Sequence, residues 1–201
     1  MVPADVDPAD WNGVLQTLWM RFDPSRHLTL LPLAPADTLD FTTPTLHVGS
    51  KVILNATDQP IRSNPAPVLP LTPVEIHPGV RDLRVLPGGH LVLQLHAAVD
   101  ARRVLEAALA HPHVQDFLFI WAVSDDVPLD NDTLLLWGMF TRFDPARDWI
   151  SRSSAWEGMR PVYRAPVGVN ATWKPFYPAP LTMPEEVIRR AQTRLQAWGL
   201  K

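Results

Sequence analysis

Two copies of one charged turn carry residue types that could do chemistry. RFDPSRH occupies residues 21–27 and RFDPARD occupies residues 142–148, each directly after an apolar stretch. In such a turn the Asp carboxylate can accept backbone N–H bonds, Pro fixes the next φ, and an arginine can pair with the carboxylate. This structural interpretation is favoured for Arg142 and Asp144. The alternative is a direct ligand role, because paired arginines can also hold an anionic group.

Two adjacent acids, Asp125 and Asp126, follow the apolar stretch 117–123. If that stretch is a parallel strand, the acids lie where open α/β sheets place their ligand crevices, and they could bind a cation or orient a substrate. Helix capping by Asp126 is the favoured interpretation. The weak catalytic candidates are therefore Arg142, Asp144 and Asp126.

The chain has no cysteine, which excludes thiolate catalysis, disulfides and Cys-ligated metal sites. A metal would need His and carboxylate ligands, and the closely spaced His111 and His113 have no third ligand that the sequence identifies. The PGGH segment at 87–90 lacks the glycine spacing of a phosphate loop and indicates a tight turn. We therefore assign neither metal-binding nor cofactor-binding residues.

The stretch that leads to the second turn has the pattern of a strand–helix–strand unit. HLVLQLH (90–96) and FLFIWAV (117–123) are continuous apolar runs, which are typical of buried strands. Between them, Asp100 can cap an amphipathic helix that Pro112 stops. Such a βαβ unit predicts a sheet with parallel neighbouring strands.

Helix patterns precede both turns and end the chain. Residues 14–19 and 135–140 place apolar side chains along one face, with Asp7 and Asp130 as predicted N-caps. A further amphipathic helix is predicted over 184–198, and it can dock on the same protomer or on a neighbour.

Similar Asn-Ala-Thr segments, SKVILNAT (50–57) and APVGVNAT (165–172), follow the two turns. The sequence therefore predicts an internal pseudo-repeat, with a partial unit at 1–65 and a complete unit at 74–201 that pack as one compact body. The predicted fold class is α/β, a mixed sheet with a parallel βαβ part and flanking helices.

Composition narrows the function classes. The formal net charge is −3 and the basic residues are scattered, so there is no cationic field for nucleic acid. No apolar run is long enough to span a membrane, and the first ten residues carry acids and prolines instead of a signal peptide. We expect a cytoplasmic protein that binds no nucleic acid and has no membrane span.

Taken in order, these motifs resemble the C-terminal domain of the UbiD family, the prenylated-flavin-dependent decarboxylases exemplified by 3-octaprenyl-4-hydroxybenzoate carboxy-lyase. The acid pair, the helix, the turn at 141–148 and the strand at 167–172 match in the second copy, and Gly49–Lys51 matches in the first. The sequence departs from the family at Asn55 and Asn170, where the family usually has Asp. A family role that needs this carboxylate, such as pairing with a cation, is not carried over.

The resemblance implies that the flavin pocket and a Glu-Arg-Glu catalytic set lie in a separate domain, and no stretch here looks like that domain. It therefore implies a structural or oligomerisation subunit of a carboxy-lyase system, with no cofactor in this chain alone. Its partner would be a second copy or a flavin-binding UbiD-type subunit. The alternative is a component of an active decarboxylase of an aromatic or unsaturated acid. In that case Arg142, Asp144 or Asp126 contributes to a site that a partner chain completes, and prenylated FMN is bound through that partner.

Overall fold

The computed structural model describes residues 1–152, 154–179 and 183–200. Within these residues, the strands form one mixed sheet and two antiparallel two-stranded ribbons. The main sheet has the order β3-β4-β5-β9-β6, where β4 is parallel to β5 and β5 is parallel to β9. β1 pairs antiparallel with β2, and β7 pairs antiparallel with β8. The strands are β1 (Leu28–Pro35), β2 (Val48–Leu54), β3 (Val80–Leu86), β4 (His90–Leu95), β5 (Phe119–Val123), β6 (Trp149–Ser151), β7 (Ser154–Glu157), β8 (Arg160–Tyr163) and β9 (Val167–Ala171).

The described residues also form seven α-helices. Three of them are single turns that begin at a proline, and a short 3₁₀ turn spans Pro112–Val114. The α-helices are α1 (Trp11–Arg21), α2 (Pro24–His27), α3 (Pro73–Ile76), α4 (Ala101–Ala110), α5 (Asp132–Phe140), α6 (Pro145–Asp148) and α7 (Glu185–Ala197). No helix of the described residues is long and apolar enough to cross a membrane.

The predicted βαβ unit is confirmed in β4, α4 and β5. Every residue of β4 and β5 is buried, which explains their continuous apolar runs. The Asp100 carboxylate caps α4 by accepting from the backbone N–H groups of Arg102 and Arg103. The helix ends at Ala110, ahead of Pro112. The α/β fold class with a mixed sheet and flanking helices is therefore confirmed.

Apolar side chains cover both faces of the main sheet. On one face, Phe119 and Trp121 lie in a core with residues of α1 and α5. On the other, Leu93 and Ile120 pack with Leu105 and its neighbours on α4. The main sheet therefore separates two apolar cores.

Two predicted helix starts are wrong. Asp10, not Asp7, caps α1 through the backbone N–H of Gly13, because Asp7 accepts instead from Ala9 in a separate turn. Asn131, not Asp130, caps α5 through the backbone N–H of Leu134. Each site offers two suitable capping side chains close together, and local hydrogen bonding selects between them.

The two charged turns share their local geometry. Asp23 caps α2, Asp144 caps α6, and each short helix leads directly into a strand. The Asn55 and Asn170 side chains both accept from the backbone N–H and hydroxyl of the Thr two residues later. Beyond these turns the surroundings differ, since β2 belongs to a ribbon and β9 to the main sheet. The internal repeat and the units 1–65 and 74–201 stay predictions.

Candidate functional site

Asp144 lies in a buried polar network that joins β2 to α6. The residue is 3% exposed, and its carboxylate accepts hydrogen bonds from the Ser50 hydroxyl and, at 3.2 Å, from the backbone N–H of Ala146. The Ser50 hydroxyl oxygen also accepts from the Ala146 N–H at 2.8 Å. Both oxygens therefore stabilise the first turn of α6.

Lys174 also belongs to this network. Its ammonium donates to the backbone carbonyls of Arg142 at 2.7 Å and Asn170 at 2.6 Å, and it lies 3.2 Å from Oδ2 of Asp148. The same Asp148 oxygen accepts from the backbone N–H of Asp144 at 2.8 Å. Burial lowers the pKa of Lys174 and raises the pKa of Asp148, each against the attraction of the other. Three acceptors thus surround the three ammonium protons.

Arg142 and Asp126 form a bidentate ion pair. The guanidinium nitrogens donate to the two carboxylate oxygens at 2.7 and 2.8 Å, and the Arg142 side chain is only 11% exposed. These hydrogen bonds hold the pKa of Asp126 below its ordinary value. The guanidinium also lies 4.8 Å from the ring centroid of Trp173. Helix capping by Asp126 is wrong, since Asn131 caps the next helix.

The three candidate residues do not converge on one reactive point. Arg142 and Asp126 satisfy each other, whereas Asp144 faces Ser50. Sequence reasoning placed Ser50 in the Gly49–Lys51 motif without giving it a role in the site, and it missed Lys174, whose visible signal was its polar character after an apolar strand.

A cavity of about 630 Å³ adjoins the network, and Ser50 lines it. An ion pair of 3.3 Å between Lys51 and Asp40 lies at its polar side. Burial alone would raise the pKa of Asp40, but hydrogen bonds from Thr42 and the Lys51 ammonium lower it overall. The apolar lining includes Leu39, Phe41, Val52, Trp137, Phe140 and Phe143. The sequence signal for this cavity was the nearly continuous apolar run 134–140, which has more apolar residues than one buried helix face needs.

Further inside, His90 is enclosed by the aromatic core. Its Nδ1 accepts from the indole N–H of Trp121 at 3.2 Å, while Nε2 has no hydrogen-bond partner among the described residues. Burial lowers the pKa of His90 to about 3. This imidazole is therefore neutral near pH 7 and acts as an acceptor. Within the ranges that the structure describes, no three His, Asp or Glu side chains are grouped to hold a metal ion.

The three cations of this site, Arg142, Lys174 and Lys51, do not fit a flavin phosphate. Arg142 is occupied by Asp126, Lys174 is surrounded by three acceptors, and Lys51 is paired with Asp40. A phosphate at any of these side chains would have to displace a bond that the fold already uses. These three side chains are therefore assigned no flavin-binding role.

A family model covers most of the chain. Residues 1–56 and 63–156 match the family model described as 3-octaprenyl-4-hydroxybenzoate carboxy-lyase C-terminal domain. The chain belongs to this family, the UbiD C-terminal domain family.

Curated relatives share almost the whole of this chain. A protein of Chlamydia pneumoniae, named as one of the subunits of 4-hydroxybenzoate decarboxylase, is 31% identical over 200 residues, which cover 98% of this chain and 33% of that protein. An uncharacterized protein of Chlamydia caviae is 29% identical over 94% of this chain and 32% of its own length. The chain therefore spans about a third of the length of these relatives.

Solved UbiD-class enzymes overlap with part of the chain. The enzyme HmfF of Pelotomaculum thermopropionicum, in complex with FMN, has a TM-score of 0.43 and 19% identity over 59% of this chain and 30% of that one. Vanillic acid decarboxylase of Sedimentibacter hydroxybenzoicus, in its closed form, has a TM-score of 0.43 and 20% identity over 60% of this chain and 30% of that one.

Proposed function

We propose that this chain forms the part of a UbiD-type carboxy-lyase that holds the enzyme's parts together. The flavin-bearing part of such an enzyme performs the decarboxylation, whether it belongs to the same polypeptide or to a separate subunit. The domain described here supplies surfaces that hold the parts of the enzyme together.

One observation carries this proposal: the charged residues of the family motifs bond to other groups of this chain, while large apolar side chains face outward. Arg142, Asp126 and Asp144 each bond to the protein itself. In contrast, the side chains of Leu134, Trp137 and Phe140 on α5 are 51%, 67% and 46% exposed. Clustered exposed apolar residues of this size mark a surface that another molecule covers.

Further apolar residues are exposed away from α5, which favours more than one interface. On the β7–β8 ribbon, Trp156 of β7 is 73% exposed and Met159 of the turn is 93% exposed. The name of the Chlamydia pneumoniae relative supports this setting, because that protein is called part of a decarboxylase with more than one subunit.

Cofactor retention tests the proposal directly. The purified 201-residue chain is reconstituted with prenylated FMN under anaerobic conditions, desalted and weighed by native mass spectrometry. We expect the cofactor to be lost and the protein to have a defined oligomer mass. A flavin-bearing UbiD-class enzyme treated in parallel is the positive control.

Stoichiometric retention by this chain alone would contradict the proposal. It would favour the alternative of an active decarboxylase component, and Arg142→Lys and Asp126→Asn would then be tested for weaker retention.

A further inference from the structure

Another cavity, of about 270 Å³, lies at the amino ends of β5 and β9. Among its lining residues, Gln115 precedes β5, and Ala165 and Pro166 directly precede β9. Asp126 and Lys174, in contrast, follow the carboxyl ends of the same two strands. This cavity is therefore separate from the polar network and from the cavity beside α5.

Two arginines line this cavity, and the edge of the main sheet brings them together. Arg152 directly follows β6, and Arg164 directly follows β8. Ser151 of β6 pairs with Val167 of β9, and the Ser151 hydroxyl donates to the backbone carbonyl of Arg164 at 3.3 Å. The two segments therefore run side by side, so both arginines reach the same cavity.

Both guanidinium groups keep donors that the fold does not use. Arg152 donates through one nitrogen to the backbone carbonyl of Leu109 at 3.1 Å, and the Gln115 amide donates to the same carbonyl at 2.8 Å. The Arg164 side chain makes no hydrogen bond or ion pair with any residue that the structure describes. Since a guanidinium carries five N–H donors, most of the donors of both arginines are available to a ligand.

The charges on the cavity wall call for an anion. Arg152 and Arg164 repel each other, and a concave protein wall focuses the field of two like charges. No Asp or Glu stands among the described residues that line this cavity. A dianion neutralises both arginines, whereas a monocarboxylate leaves one positive charge. A planar guanidinium also binds phosphate oxygens through two parallel hydrogen bonds.

The size of the cavity limits what it can hold. At about 270 Å³ it is smaller than the roughly 300–1,000 Å³ of sites for drug-sized ligands, so it suits a small anion or the end of a larger molecule. A neighbouring cavity of about 470 Å³ shares Gln115 and Ala165 of the lining. Asp116 lines this neighbour and disfavours a second anionic group there. A neutral organic group attached to a phosphate can therefore extend into it.

We propose that Arg152 and Arg164 bind a dianionic phosphate group in this cavity, carried by inorganic phosphate or by a phosphate monoester. The site goes beyond the assembly function and does not depend on it. It uses neither the exposed apolar residues of α5 nor the charged residues of the family motifs.

Isothermal titration calorimetry at constant ionic strength measures this binding, with inorganic phosphate and ribose 5-phosphate as the two probes. We expect saturable binding of one ligand per chain, with Kd values on the order of 0.1–1 mM, because both arginines are exposed. Tighter binding of ribose 5-phosphate would identify a phosphate monoester as the ligand. Equal affinities would identify inorganic phosphate as sufficient.

Substitutions locate the binding site. Arg152→Gln and Arg164→Gln should each raise the Kd by about tenfold or more, because each removes a charge and its hydrogen bonds. Arg164→Lys keeps the charge but not the two parallel hydrogen bonds, so it should restore only part of the affinity. Arg160→Gln is the matched control, since this exposed arginine is already paired with Glu157 at 2.7 Å. We expect it to leave the Kd unchanged.

A chain that binds neither probe would overturn the proposal, as would binding that Arg152→Gln and Arg164→Gln both leave unchanged. Both side chains are exposed, so the variants keep the core, and far-UV circular dichroism checks their folding. A ligand with a Kd on the order of 0.1–1 mM is lost on desalting. Cofactor retention therefore tests the assembly function independently of this site.

Discussion

Ser50 donates a hydrogen bond to Asp144 across 94 residues of sequence. The pair lies between β2, in the antiparallel ribbon, and α6, which leads into the edge strand of the main sheet. Because Asp144 also caps α6, the same carboxylate holds the local turn and the distant ribbon. The hydrogen-bonding capacity expected of a reactive acid is therefore used to join two parts of the fold.

Ser50→Ala should destabilise the protein by about 1–3 kcal/mol, because it removes a donor from buried Asp144 and an acceptor from the Ala146 N–H. Urea unfolding measures the change. Ser25→Ala is the matched control: its hydroxyl bonds to Asp23 within one turn, and we expect a loss of about 0.5–1 kcal/mol. Equal losses would show that the long-range bond has no special weight.

Lys174→Met should cost about 3–5 kcal/mol, since it leaves buried Asp148 without its counter-ion and two carbonyls without their donor. Lys51→Met removes a half-exposed lysine paired with Asp40, and we expect a loss of about 1 kcal/mol or less. Thermal unfolding of the two variants side by side checks the contrast. Similar losses would contradict the structural role given to Lys174.

Local signals in the sequence predicted the βαβ unit but not the polar network. Buried parallel strands appear as continuous apolar runs, and Asp100 and Pro112 mark the helix ends, so this unit can be derived from neighbouring residues. Ser50 and Lys174 meet Asp144 and Asp148 only after the chain folds, and no local pattern records such distances. Likewise, the apolar positions of α7 predict a helix without saying which molecule covers them.

Gly88 lets α1 approach the turn between β3 and β4. Its φ is +72°, and a Cβ there would lie 2.1 Å from the carbonyl oxygen of Leu15, which belongs to the backbone and cannot rotate away. Gly88→Ala should therefore cost more than the roughly 1–2 kcal/mol of left-handed strain alone. Gly158 has a φ of +62° but open space around it, so Gly158→Ala measures the cost of left-handed backbone strain without a steric clash. Chemical denaturation that finds equal losses would contradict this close contact.

Acid should destabilise the protein through His90. Burial lowers the pKa of His90 from 6.5 to about 3. Below pH 6.5, His90 therefore binds a proton in the unfolded chain but stays neutral in the native chain. The free energy of unfolding is therefore not reduced by His90 above pH 6.5, and it falls as the pH is lowered toward 3, by on the order of a few kcal/mol.

His90→Gln removes the titrating group and keeps an acceptor for the Trp121 indole. Urea midpoints at pH 7, 5.5 and 4 should therefore fall more steeply in the wild type than in the variant, because all other acids and histidines titrate in both. Parallel pH dependences would show that folding does not lower the pKa of His90.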